Sequence, residues 1–102
     1  MTALAHRDFT LAPEDNERLA NLAGPFDEHL RQIELKLGVE IANRGHVFRV
    51  TGPKAVAEEA QALIEALYLE AAETPFDSHA IHLRLNQPNV EHLVERSYEA
   101  QE

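Results

Sequence analysis

The chain contains no cysteine, which excludes disulfides, thiol nucleophiles and thiolate-held metals and fits a reducing compartment. It is also poor in positive charge. Nine Lys and Arg stand against 18 Asp and Glu, a formal net charge of −9, and this rules out a uniform electrostatic grip on a phosphate backbone. The deficit runs along the whole chain, with 7 basic and 13 acidic residues up to Thr74 and 2 and 5 beyond it, so neither part is a basic tail. No stretch approaches the roughly 18 apolar residues of a membrane span. Met1 to Asp8 lacks the positive start and apolar run of a signal peptide. A soluble, cytoplasmic protein without membrane contact is the expectation.

Catalytic signatures are missing too. Six histidines (His6, His29, His46, His79, His82 and His92) show no His-Glu-x-x-His spacing, and the pair His79 and His82 is a weak signal alone. Glu58 and Glu59 are adjacent, so on a helix they do not face a common centre. No Ser/His/Asp arrangement is signalled. These 102 residues are not expected to be an enzyme, nor to hold a metal or cofactor.

What is present is a regular alternation of short apolar patterns and turn residues. Asp8 to Ala12 alternates and then meets Pro13, as a short strand does. Asp15 and Asn16 offer an N-cap for a helix that carries Leu19, Leu22 and Ala23 on one face and stops at Gly24-Pro25. A second helix is predicted to start near Pro25 or Phe26, with Phe26, Leu30, Ile33 and Leu37 as its apolar stripe, Asp27 serving the free N–H groups of its first turn and Gly38 ending it. Residues 39–51 read as a hairpin with its loop at Asn43 to Gly45. Residues 53–72 form the strongest helix, with Val56, Ala60, Leu63, Ile64, Leu67 and Ala71 on a broad apolar face.

The order is strand, helix, helix, strand, strand, helix. It predicts an α+β fold, a three-stranded sheet covered on one face by helices, over residues 7–73. Thr74 to Ser78 breaks the pattern, and residues 74–102 are expected to be a linker or tail. Within it Ala80 to Leu85 fits either a strand or a helical turn, and Val90, Leu93, Val94 and Tyr98 mark the apolar side of a short final helix.

The run Leu22 to Glu34, followed by Gly38-Val39-Glu40-Ile41 and Phe48-Arg49-Val50-Thr51-Gly52, resembles the K-homology RNA-binding fold, whose Gly-x-x-Gly loop between two helices clamps the backbone of a single strand. Here the second glycine is replaced by Asp27 and the intervening pair is Pro25-Phe26; a carboxylate repels phosphate and proline lacks an N–H donor. A denser match, over about residues 7–102, is to the N-terminal domain of PhoH-like proteins, bacterial ATPases. Phe9-Thr10-Leu11, Asp15 to Leu19, Leu22 to Asp27, Ile33-Glu34, Leu37 to Ile41, Asn43-Arg44-Gly45 and Leu67-Tyr68 carry it as a set.

That resemblance implies an accessory module beside a P-loop ATPase domain. It also implies a part in RNA processing or ribosome maturation, with single-stranded or structured RNA, the protein's own ATPase domain, an RNA-processing endoribonuclease and further copies of itself as partners. The Gly-x-x-x-x-Gly-Lys-Ser/Thr phosphate loop is absent from this chain. The ATP and Mg expected for the parent would therefore be held beyond Glu102. The residues expected to meet nucleic acid are Gly24 in the inter-helix loop, Arg31 and Lys36 on the polar side of the second helix, and Arg44 and Arg49 in or after the hairpin loop. A basic stripe through the four cations favours RNA; scattered bases around an apolar patch favour a protein-docking domain without nucleic-acid contact.

Overall fold

The computed structural model describes residues 4–86. The expected final helix around Val90 to Tyr98 lies outside the described residues. Strand β1 (Leu4–Thr10) leads to helix α1 (Asn16–Ala23), a single 3-10 turn (Pro25–Asp27) and helix α2 (Glu28–Leu37). Strands β2 (Glu40–Arg44) and β3 (Val47–Pro53) follow, then helices α3 (Lys54–Glu70) and α4 (Ser78–Leu85). The fold is α+β, with a three-stranded antiparallel sheet in the order β1-β3-β2.

Local chemistry sets most of these boundaries. Asp15 caps α1 by accepting from the N–H groups of Glu17 and Arg18, both at 3.1 Å. Gly38 closes α2, its N–H reaching Glu34 O at 2.8 Å. The hairpin turns more tightly than the sequence suggests. Arg44 pairs directly with Val47, so the loop is Gly45-His46 rather than Asn43 to Gly45, with Gly45 at φ 59° in the first central position of a two-residue turn. Asn43 and Arg44 thus belong to β2. The ring of His46 turns inward: the residue is 8% exposed, lies edge-on to Tyr68 at 6.0 Å and accepts from Asp15 N–H at 3.1 Å, while its carbonyl accepts from Leu11 N–H at 2.9 Å.

In β3, Phe48, Val50 and Gly52 face the helices while Val47, Arg49 and Thr51 face the open side. Phe48 stacks on Phe9 of β1 at 5.7 Å. Behind them Val56, Ala60, Ile64, Leu67 and Tyr68 of α3 meet Leu22 of α1 and Ile33 and Leu37 of α2, all buried. The broad apolar face expected of α3 is therefore the main wall of the core.

Residues 78–85 resolve the strand-or-helix ambiguity in favour of a helix. Asp77 caps α4 by accepting from Ala80 N–H at 2.8 Å, and Ile81 and Leu85, four residues apart, are 0% and 2% exposed in the same core. Gln32 of α2 donates to Ser78 O at 2.9 Å, and Arg84 makes two bonds to the Glu70 carboxylate at 2.7 and 2.9 Å. Asn21 of α1 holds the connection before α4, donating to Ala71 O and Thr74 O and accepting from Phe76 N–H. The packed unit accordingly extends through Leu85, past the boundary expected at residue 73. Among the described residues no helix is long and apolar enough to cross a membrane.

Candidate nucleic-acid interface

The inter-helix turn is built around Gly24. It ends α1 with its N–H on Ala20 O at 2.9 Å and has φ 76° and ψ 174°, a region essentially closed to other residues. A Cβ there would stand 2.7 Å from the His29 ring. That ring is 2% exposed, and its Nδ1 donates to Leu22 O at 3.1 Å and Asn21 O at 3.2 Å, serving carbonyls that the end of α1 leaves free. Gly24 thus ends one helix and makes room for the histidine that ties the next to it.

Beyond Pro25 the backbone turns left-handed twice, at Phe26 (φ 55°, ψ 31°) and Asp27 (φ 59°, ψ 27°). Asp27 N–H bonds Gly24 O at 3.2 Å, and Glu28 N–H bonds Pro25 O. Two sequence expectations are corrected here. Phe26 does not join the apolar stripe of α2: the left-handed turn breaks the helical phase, α2 begins at Glu28, and the ring is 96% exposed while His29 enters the core. Asp27 does not cap α2, since its side chain makes no bond to the first turn.

Helix α2 and strand β2 are joined through Gly38 and flank each other. The alternation of pairing along β3 directs the N–H and C=O groups of Ile41 and Asn43 away from β3, to the open edge of the sheet. Glu34 on α2 accepts the Ile41 N–H at 2.7 Å, which leaves the Ile41 carbonyl and the backbone of Asn43 along the rim. That β2 and its Ile41 and Asn43 groups form this edge was not readable from the sequence, because it follows from which strand lies in the middle. At the other end of β2, Arg31 and Leu35 of α2 share an open hollow with Leu4, Val39 and Gly52.

The four expected cations are all exposed, yet they do not form one stripe. Arg31 and Lys36 are five residues apart, about 140° around the helix. Arg44 and Arg49 lie on the helix-free face of the sheet, lining a second hollow with Ala42, Asn43 and Val47. Arg49 is also engaged, its Nε standing 2.7 Å from Asp8 Oδ1 across the β1–β3 ladder. The hydrogen bond from Arg49 holds the Asp8 carboxyl below its ordinary value, and the same bond pushes the Arg49 guanidinium up. Arg31 is the cation that the fold leaves beside the α2–β2 groove; Arg44, though on the rim strand, faces the helix-free side, and Lys36 points elsewhere. No protein-family model matches this chain, and no solved structure matches it.

Proposed function

We propose that this chain is an accessory RNA-handling domain of K-homology-like type, belonging to a PhoH-like ATP-binding protein of RNA processing or ribosome maturation. The observation that carries the reading is the groove itself. An inter-helix turn, the helix α2 that follows it and the open edge of β2 stand together in the element order that the resemblance to the K-homology fold implies. A single strand lying along α2 and β2 meets unpaired backbone groups of Ile41 and Asn43 for its base edges, and Arg31 for its phosphates. Glu34 and Glu40 beside the same groove, with a net charge of −9, keep the affinity low and salt-dependent. ATP and Mg chemistry belongs to the parent's P-loop domain, since the phosphate loop is absent from this sequence.

The test is binding of a fluorescent single-stranded RNA pool at low and physiological salt. Binding at low salt that weakens as salt rises, and falls with Arg31→Glu, is the expected result. Arg49→Glu is expected to matter less, because Arg49 is already paired with Asp8. Absence of binding at low salt would sink the proposal. A second reading, a protein-docking domain, is favoured by the scatter of the four cations and by Leu35 and Leu4, 86% and 67% exposed around the hollow at the end of the sheet. In that case Leu35→Glu abolishes capture of the partner and the arginine variants do not.

A further inference from the structure

We propose that Phe26 is a stacking platform for one unpaired base of the bound strand, an inference that rests on the RNA-handling reading above. Its ring is 96% exposed, the most exposed large apolar side chain among the described residues. It takes no part in the aromatic pairs of the fold, Phe9 with Phe48 and His46 with Tyr68. Its backbone sits in the left-handed region, which is costly for a bulky side chain and persists only where the surroundings impose it. Pro25 fixes the entry to the turn, the Asp27 and Glu28 N–H groups close it, and Gly24 is pressed onto the buried His29. The fold therefore holds an aromatic ring outward on a preorganised four-residue turn, at a cost in backbone strain and with no internal contact in return.

A base is the occupant that suits such a ring. Protein hot spots require an apolar surround, whereas the neighbours of Phe26 in the turn are Pro25, Asp27 and Glu28, all exposed and two of them charged. Stacking needs only one ring face and tolerates any base. The acidic neighbours repel phosphate but not the face of a base. Arg31, exposed about one helical turn beyond Glu28, is the nearest cation along α2 for the phosphates of the strand.

The chain has no tryptophan, so Phe26→Trp creates a unique fluorophore at the platform. Ten-nucleotide oligouridine and oligoadenine RNAs are titrated at low salt into the full 102-residue chain carrying Phe26→Trp, Phe26→Ala or Arg31→Glu, with thermal melts of each variant as the folding control. The expected result is saturable quenching of the introduced indole by both RNAs, with binding about ten-fold weaker in Phe26→Ala at an unchanged or raised melting temperature. RNA binding that depends on Arg31 but leaves the indole unquenched and Phe26→Ala unaffected overturns the stacking role and keeps the RNA reading. No binding by any variant overturns both. A concentration-dependent blue shift of the indole emission without RNA, with self-association lost in Phe26→Ala, assigns the ring to a protein contact and overturns the inference as well.

Discussion

At the scale of single residues, the turn between α1 and α2 contains two side-chain choices with opposite effects on stability. Gly24 occupies a backbone region that only glycine tolerates, and a methyl group there would collide with the His29 ring. Gly24→Ala is therefore expected to cost about 2–4 kcal/mol, strain and overpacking together, measured by urea unfolding. Two positions on, the sign reverses. Phe26→Gly removes a left-handed aromatic that touches nothing inside, and is expected to leave stability unchanged or raise it by up to about 1 kcal/mol, after allowing for the extra freedom of glycine in the unfolded chain. A clear loss in that variant would mean that the exposed ring supports the fold.

At the scale of elements, the most telling contact is that of α4 with its neighbours. Arg84 grips the Glu70 carboxylate at the end of α3, and its guanidinium lies 5.9 Å from the centre of the Phe76 ring. The hydrogen bond from Arg84 is the main reason the Glu70 carboxyl is held below its ordinary value of 4.5; the ion-pair attraction adds to it and partial burial opposes it. A carboxyl depressed in the folded state adds stability above its unfolded pKa and loses it as pH falls through the lower folded value. Since the Glu70 side chain keeps 37% of its surface exposed, the contribution is about 1 kcal/mol or less. Glu70→Gln is expected to melt earlier than the parent chain at neutral pH, the gap closing on the acid side of 4.5. A gap that persisted unchanged into acid would mean that the glutamine substitution acts through packing.

For the molecule as a whole, the extent of the packed unit is the first consequence of the tertiary structure. Ile81 and Leu85 are fully buried, and at about 1.5–3 kcal/mol each their removal takes about 3–6 kcal/mol from a domain of this size. That is a large part of the roughly 5–15 kcal/mol that holds most small domains folded. A chain ended at Asn86 keeps every described element and is the reference, expected to unfold cooperatively in urea. One ended at Glu73 is expected to have a much lower midpoint or to be unfolded. Equal midpoints would show that α4 is dispensable to the fold.

Element types and their order up to α3 were legible in the amino-acid sequence, whereas α4 was not. Helical period at Val56, Ala60, Ile64 and Leu67, the Asp15 cap, the Gly38 stop and the alternation around Phe48 and Val50 are local signals, written within a few residues of where they act. The charge that any nucleic-acid contact has to overcome was legible as well. Long-range packing, in contrast, put β3 in the middle of the sheet, made an open rim of the Ile41 and Asn43 backbone, and occupied Arg49 with Asp8, 41 residues away in sequence. It separated Arg31 and Lys36 from Arg44 and Arg49, which lie on the opposite face of the sheet. The same holds for the turn at residues 24–27. The helical stripe of Phe26, Leu30, Ile33 and Leu37 is present in the sequence, but the buried ring of His29, bonded back to the end of α1, sets the chain direction and turns Phe26 outward. Periodicity records which faces are apolar, whereas the partner of each face depends on contacts between residues far apart in the chain, and those contacts shaped the site.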